Sequence, residues 1–265
     1  MRPLHLVLAS GALAAAVLPH ANAAASIGIN FNNSDTAGSQ LDGNLGAAWT
    51  NVNTASGTSL TINGGDGATL NWASSNFYQG GAWTSSTVGG AFNTPIGMMR
   101  VYLDDGDGPT AGSPGSLGAV NGDSIGVTVN LTGLTAWLAA EGGTSYTIQA
   151  YFSTDMDSAT FLPISVRDGG SVTSTVIETI TPTVQGNGSW NGSILDPGAI
   201  QTDGTRGSAV FSTQFTQDTI TLTLPVRDGS ARGTLAGIII TAAPEPSAAL
   251  LGTLGTLALL RRRRG

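Results

Sequence analysis

The chain contains no cysteine and no lysine, and its only histidines, His5 and His20, lie among the first twenty residues. No disulfide can form, so an exported domain would have to fold on its hydrophobic core alone. Schiff-base chemistry needs a lysine amine, zinc sites are built mainly from cysteine and histidine, and serine or cysteine nucleophiles rely on a histidine base. Beyond residue 20 the composition excludes these chemistries.

Positive charge is scarce as well. Residues 24–243 contain five arginines against sixteen acidic residues, a net charge of −11. Proteins that bind nucleic acid place basic side chains along the phosphate backbone, where they displace its counterions. The sequence has no basic stripe of this kind, so we expect no nucleic-acid partner.

The first 23 residues have the three parts of a secretory signal peptide. Arg2 supplies a positive start, residues 4–18 form an apolar stretch, and Ala21 and Ala23 occupy the two small-residue positions of an A-x-A cleavage site. We therefore expect signal peptidase to release a mature chain that begins at Ala24. The alternative is a retained N-terminal anchor, against which the short apolar stretch and the cleavage site both argue.

The C-terminus also has three consecutive parts. A helix made of the uncharged residues 247–260, fourteen in number, would span about 21 Å at 1.5 Å per residue. The hydrocarbon core of a bilayer is about 30 Å thick, so this short hydrophobic helix would be a marginal anchor. The arginines that follow this helix in the sequence are expected to stay on the cytoplasmic side of the membrane. The motif before the helix is Pro244, Glu245 and Pro246, and the stop after it is Arg261, Arg262, Arg263 and Arg264.

This order of motif, apolar stretch and basic stop resembles the PEP-CTERM sorting signal of Gram-negative bacteria, over about the last two dozen residues. Proteins of this class are understood to be processed by an exosortase, a membrane-embedded cysteine transpeptidase-like enzyme, and many are associated with exopolysaccharide and biofilm matrix. The resemblance implies an exported precursor that is anchored transiently in the inner membrane and then delivered to the cell surface or the extracellular space. The alternative is an ordinary C-terminal anchor.

Residues 24–243 predict one all-β domain. Short stretches rich in valine, isoleucine, threonine and aromatic residues alternate with clusters of glycine, asparagine, aspartate and serine, the pattern of strands and turns. In 219–224 every second residue is apolar, as in a strand with one face on a core and one in water. Residues 134–140 are the one expected helical turn. Strands are predicted at 26–31, 58–62, 68–72, 98–103, 124–131, 145–153, 160–166, 171–180, 209–215, 219–226 and 235–241.

Short strands separated by turns favour a single antiparallel β-sandwich, with a jelly roll as the specific topology. The signal peptide (1–23) and the sorting segment (244–265) flank this domain. The strand sequences are also similar to the ectodomains of sorted proteins, and this second resemblance implies a carbohydrate-binding-like sandwich without an established activity. It is carried by residues 101–105, 126–129, 146–152 and 235–240.

Three aspartates crowd one predicted turn. Asp104, Asp105 and Asp107 lie beside two glycines in residues 104–108, and hard oxygen ligands on a turn suit calcium. The spacing is not that of an EF-hand, and aspartate and glycine are also common residues of ordinary turns. Calcium is the one cofactor that the sequence suggests, with an ordinary turn as the alternative.

Trp190 stands alone in a polar stretch of glycine, serine and asparagine. An exposed tryptophan in such a loop can stack on a sugar ring. It can equally cap the end of the sandwich core, and we favour capping.

Glycosidases need only two carboxylates. Glu141 and Glu178 are the only glutamates between the terminal segments, and no spacing picks out a catalytic pair. We therefore expect a non-enzymatic exported protein, structural or carbohydrate-associating within an exopolysaccharide layer. The alternatives are a β-sandwich polysaccharide hydrolase that uses paired carboxylates and a calcium-dependent adhesion module.

Overall fold

The chain divides into two compact units, and one of them, Ala24–Glu245, contains every residue that the structure describes. The predicted signal peptide and C-terminal apolar helix lie outside the described residues and stay predictions. In the part of the chain that is described, no helix is both long and apolar enough to cross a membrane. The computed structural model describes residues 24–31, 48–74, 76–78, 102–105, 119–120, 123–152, 162–181, 208–226 and 233–244.

Strands dominate the described residues, with one short helix among them. Each of the eleven predicted strands overlaps an observed strand, and the helix has the predicted bounds. In chain order the elements are β1 (Ser26–Phe31), β2 (Ala48–Val52), β3 (Ser56–Thr61), β4 (Thr69–Ser74), β5 (Asn76–Tyr78), β6 (Tyr102–Asp104), β7 (Ala119–Val120), β8 (Asp123–Thr132), α1 (Leu134–Ala140), β9 (Gly143–Tyr151), β10 (Ile164–Asp168), β11 (Val176–Ile180), β12 (Ser208–Val210), β13 (Thr219–Pro225) and β14 (Gly237–Pro244).

Two large sheets form a β-sandwich. One has the strand order β12-β9-β14-β1-β2, and the other has the order β11-β10-β13-β8-β4-β3 with β7 paired to β8. Strands β5 and β6 form a separate antiparallel pair. The predicted all-β sandwich is confirmed.

The pairing of eight strands follows the jelly-roll pattern, in which a long hairpin is rolled up so that its two arms build two sheets. Strand β1 pairs with β14, β8 with β13, β9 with β12 and β10 with β11, all antiparallel. If these eight strands are numbered in chain order, the first pairs with the eighth, the second with the seventh, the third with the sixth and the fourth with the fifth. Strand β14 also pairs with β9, and β13 with β10, which completes the two sheets.

Strand β2 differs from the prediction in two ways. It was not among the predicted strands, and it pairs with β1 in parallel rather than antiparallel. The sixteen residues between the two strands are enough for the crossover that parallel neighbours require. A two-residue hairpin would have forced the antiparallel arrangement.

Alternation along β4 and β8 places apolar side chains between the sheets and polar ones outside. In β4 the buried residues alternate with half-buried ones. In β8 valines and leucine point inward while Thr128, Asn130 and Thr132 remain half-exposed. Helix α1 adds Leu134, Trp137 and Leu138 to the same core. The largest fully buried side chains are Trp137, Tyr102, Tyr146, Phe31, Phe152, Phe211 and Phe215.

The prediction that 219–224 has one face in water is wrong, because Thr221 and Thr223 of β13 are each only 2% exposed. Their hydroxyls are bonded to the carbonyl of Gly169 and to Arg167.

The last strand reaches into the predicted sorting motif. Strand β14 ends at Pro244, which lies opposite Gly143 after a register shift. Proline has no N–H to donate, so it is tolerated at the end of a strand. The first residue of the motif is therefore also the last residue of the sandwich.

Candidate functional site

Two of the three aspartates proposed as calcium ligands lie inside the sandwich. Asp104 is 5% exposed and Asp105 is 0% exposed. The Asp105 carboxylate accepts a hydrogen bond from the backbone N–H of Gly233 at 2.6 Å. The backbone of Asp105 also lies so close to β8 that a Cβ on Gly126 would come within 2.9 Å of it. This aspartate therefore holds two distant segments of the chain together.

The neighbouring backbone reinforces this junction. The N–H of Leu103 donates to the carbonyl of Leu235 at 2.9 Å, and the N–H of Leu235 donates back at 3.1 Å. Among the described residues, no three carboxylate or histidine side chains are placed to hold a metal ion. Asp107 lies outside the described residues, so calcium binding stays a prediction.

Most other predicted site residues also lie outside the described residues: Ala21, Ala23, Trp190, Glu245, Pro246 and the arginines at 261–264. Of the predicted sorting motif, only Pro244 is described, as the end of β14. The assignments of signal cleavage, sorting, membrane stop and sugar stacking to these residues stay predictions.

The carboxylate of Glu178 clamps the two sheets at one end of the sandwich. It projects from β11 and accepts hydrogen bonds from the backbone N–H groups of Ser212 and Thr213, both at 2.8 Å, and from the Ser212 hydroxyl. Partial burial favours a raised pKa for Glu178, but these hydrogen bonds outweigh it and the net pKa lies below its ordinary value. A catalytic acid requires the opposite shift.

A second carboxylate, that of Asp218, anchors helix α1. It accepts hydrogen bonds from the hydroxyl and the backbone N–H of Thr135. The hydroxyl contact is the largest of the causes that hold the pKa of Asp218 below its ordinary value. Glu178 and Asp218 thus serve as structural acceptors.

A groove of about 300 Å³ lies on the outer face of the seven-stranded sheet. This volume is at the lower end of the range for ligand-binding pockets, about 300–1,000 Å³. None of the described side chains that line it is ionisable. The lining residues are Gly57, Thr58, Asn71, Trp72, Ala73, Thr128, Asn130, Gly170, Val172 and Thr221. We refer to this feature as the outer groove.

The floor of the outer groove is a chain of side-chain amides that crosses four strands. The Oδ1 of Asn71 accepts from the backbone N–H of Ser59 at 2.8 Å, and its Nδ2 donates to the Oδ1 of Asn130 at 3.1 Å. The Nδ2 of Asn130 donates to the carbonyl of Ile220 and to the hydroxyl of Thr221, both at 3.1 Å. Because Asn71 and Asn130 are direct cross-strand partners, the sheet register fixes this arrangement.

One wall of the outer groove is the loop at residues 169–175, between β10 and β11. Its first residue, Gly169, has a φ of 96°, which favours glycine. The N–H of Gly169 donates to the carbonyl of Thr219 at 2.9 Å, and the carbonyl of Gly169 accepts from the hydroxyl of Thr221 at 2.7 Å. The loop is thereby held against β13.

Arg167 secures the far end of the same loop. Its guanidinium donates through Nε to the hydroxyl of Thr223 at 3.0 Å and through Nη1 to the carbonyl of Ser174 at 2.9 Å. The side chain is 8% exposed. Hydrogen bonds from a charged group are stronger than neutral ones, so Arg167 is the main anchor of this wall.

The ring of Trp72 packs in the hydrophobic core beneath the groove, because Trp72 lies on the face of β4 opposite to Asn71. Its indole N–H donates to the carbonyl of Thr54 at 2.9 Å, and its ring lies where a Cβ on Gly57 would come within 2.1 Å. Only glycine at position 57 leaves room for the ring. Because Trp72 is just 9% exposed, it is not an open stacking platform.

The groove combines unused hydrogen-bonding groups with the small apolar side chains of Ala73 and Val172. The hydroxyls of Thr58 and Thr128 make no hydrogen bond within the described part of the chain. Such a surface can bind a neutral ligand that carries hydroxyl groups. Comparison of the chain with protein families and with curated proteins finds no match.

Sequence reasoning missed the outer groove, although one signal for it was present. Asparagine is depleted in strand interiors, yet Asn71 and Asn130 occupy the middle of β4 and β8. Asparagine at an outward position of two strands was the available indication that this face carries a polar network.

Proposed function

We propose that the chain is an exported, non-enzymatic protein that associates with polysaccharide in an exopolysaccharide layer at the cell surface or in the extracellular matrix. The observation that carries the carbohydrate part is the outer groove. Its described lining residues are uncharged, and they include the polar side chains of Thr58, Asn71, Thr128, Asn130 and Thr221. Neutral saccharides are hydroxyl-rich and partly apolar, so such a groove matches their chemistry.

Export and sorting are supported by the two terminal segments. Residues 1–23 have the pattern of a signal peptide, and residues 244–265 have the order of motif, apolar stretch and arginines that resembles a PEP-CTERM signal. Signal peptidase and an exosortase are the partners that these segments imply. The inner membrane would hold the precursor only until processing.

The positions of the described carboxylates favour binding over hydrolysis. Asp105, Glu178 and Asp218 each accept hydrogen bonds that join separate segments of the sandwich. The lowered pKa of Glu178 keeps its carboxyl group ionised near neutral pH, so it is unsuited to protonate a leaving group. None of the described residues that line the outer groove carries a carboxylate.

Affinity electrophoresis through gels that contain soluble polysaccharides tests the proposal. The mature protein, isolated after export, should be retarded by at least one polysaccharide and should release no new reducing ends from it. The same protein after thermal unfolding is the control for non-specific retention. Migration that no polysaccharide changes would contradict the binding proposal, and steady release of reducing ends would favour the hydrolase.

A further inference from the structure

We infer that the outer groove is a binding site for a neutral saccharide, and that it discriminates against saccharides that carry carboxylate, sulfate or phosphate groups. This inference rests on the proposed association with polysaccharide and names the site and the ligand class. It is carried by the charge, the unused hydrogen-bonding groups and the rigidity of the groove.

Charge excludes anionic ligands from the groove. None of its described lining residues is a cation that could pair with an acidic sugar. Arg167 is the only arginine among the described residues, and its Nε and Nη1 atoms are already bound to Thr223 and Ser174. Residues 24–243 also carry a net charge of −11, which repels anions at long range.

Hydrogen-bonding capacity in the floor favours a hydroxyl-rich ligand. The Nδ2 of Asn71 has two hydrogens and donates one to Asn130, and its Oδ1 has two lone pairs and accepts once from Ser59. One donor and one acceptor are therefore left for a ligand. The hydroxyls of Thr58 and Thr128 add donors and acceptors on either side of Asn71. Sugar hydroxyls can both donate and accept, so they can satisfy all three side chains at once.

Apolar groups complete the match to a sugar ring. The side chains of Ala73 and Val172 also line the groove, and they can contact the C–H faces of a pyranose. The mixture of a few fixed polar groups with apolar surface is typical of small-molecule sites.

Rigidity reduces the entropic cost of binding. The amide chain is fixed by the sheet register, and the loop wall is held by Thr221 and Arg167. Groups that are already ordered in the free protein lose little conformational freedom when a ligand arrives. The site is therefore preorganised, although each of its hydrogen bonds is individually weak.

Binding of matched neutral and acidic oligosaccharides to the mature exported protein tests the inference. We expect retention on neutral oligosaccharides and weaker or no retention on uronic-acid and sulfated ones of the same length. Thr128→Val keeps the shape of the side chain and removes its hydroxyl, so it should weaken binding about three- to tenfold. Thr58→Val, on the exposed edge strand, should act in the same direction even if Thr128→Val perturbs folding.

Thr147→Val is the matched control. Thr147 is a half-buried outward residue of β9, on the other sheet, and its substitution should leave binding unchanged. Thermal melts of all three variants separate lost binding from lost folding. Preference for acidic oligosaccharides, or equal effects of Thr147→Val and Thr128→Val in folded proteins, would overturn the inference and leave the proposed function intact. Absence of binding to any saccharide would contradict both.

Discussion

The carboxylate of Asp105 accepts a hydrogen bond of 2.6 Å from the backbone N–H of Gly233, 128 residues further along the chain. The aspartate is fully buried, and the glycine begins the segment that leads into β14. Each partner satisfies a polar group that would otherwise be costly to bury. The acidic turn that the sequence associates with calcium thus also joins the middle of the chain to its last strand.

Asp105→Ala should therefore destabilise the sandwich. It removes a hydrogen bond to a charged group and leaves the N–H of Gly233 unpaired, a loss of about 1.5–3 kcal/mol. Urea denaturation of the mature protein measures the free energy of unfolding. Asp105→Asn retains an acceptor oxygen and should cost less, and Glu141→Gln, at the exposed end of α1, is the surface control. If the alanine variant and the wild type had equal free energies of unfolding, the hydrogen bond would make no net contribution to stability.

Calcium binding near Asp105 is best tested through Asp107. Because Asp105→Ala breaks the bond to Gly233 whether or not a metal binds, the informative substitution is Asp107→Ala. A ligand that binds only the folded form raises stability by mass action. We expect millimolar calcium to raise the melting temperature by several degrees relative to chelator, and Asp107→Ala to abolish the difference. Identical melts of the wild type with calcium and with chelator would refute the site.

Strand positions were predictable from the sequence because alternating polarity is a local property. In β8 and β13 apolar residues recur at every second position, and both strands appear where that pattern predicts them. Strand β2 was missed because it is short, contains Asn51, and owes its strand conformation to β1 and not to its own pattern. Its parallel direction depends on a crossover that no local signal specifies.

The outer groove could not be predicted from the sequence because it depends on register. Asn71 and Asn130 are 59 residues apart in the chain and become partners only when β4 pairs with β8 in one alignment. A shift by one residue would turn Asn71 into the core and Trp72 outward. The same reason applies to Asp105, whose burial requires a partner on a distant segment.

The hydrogen bonds of Glu178 to Ser212 and Thr213 should make the stability of the sandwich sensitive to acid. The folded-state pKa of Glu178 is lowered, so its contribution to stability is present above the unfolded pKa, about 4.3. That contribution is lost as the pH falls through the lower folded-state pKa. Glu178→Gln should therefore be less stable than the wild type at pH 7, and the difference should shrink at pH 3. Urea denaturation at both pH values measures it, and taking the difference between the two proteins cancels the parallel effect of Asp218. A difference that is constant with pH would show that the glutamate charge is not involved.

The anchor of the groove wall predicts a local change in dynamics. Arg167→Met removes the bonds to Thr223 and to the carbonyl of Ser174, so the loop at 169–175 should open more often. Hydrogen exchange should accelerate at the amides of Gly169 and Ser174, while exchange in β1 stays unchanged. Arg167→Lys can keep one bond and should have a smaller effect. Saccharide binding should weaken with the loop, although Arg167 does not line the groove. Unchanged exchange in Arg167→Met would show that Thr221 alone holds the wall.

The position of Pro244 makes the predicted sorting reaction testable by mass. Because Pro244 ends β14 and lies opposite Gly143, processing near the motif would remove the apolar tail without removing any strand of the sandwich. The mature protein should therefore begin at Ala24, lack the last twenty or so residues and remain folded, which intact-mass measurement on surface-released protein can establish.

Replacement of Glu245, or of the arginine run, should leave full-length precursor in the inner membrane with the domain still folded. Arginines are costly to draw into hydrocarbon, so the run fixes the depth of the motif. A wild-type mass that retains residues 247–265 would show that the tail is an ordinary anchor, and a chain that begins at Met1 would show that export by a cleaved signal peptide is wrong.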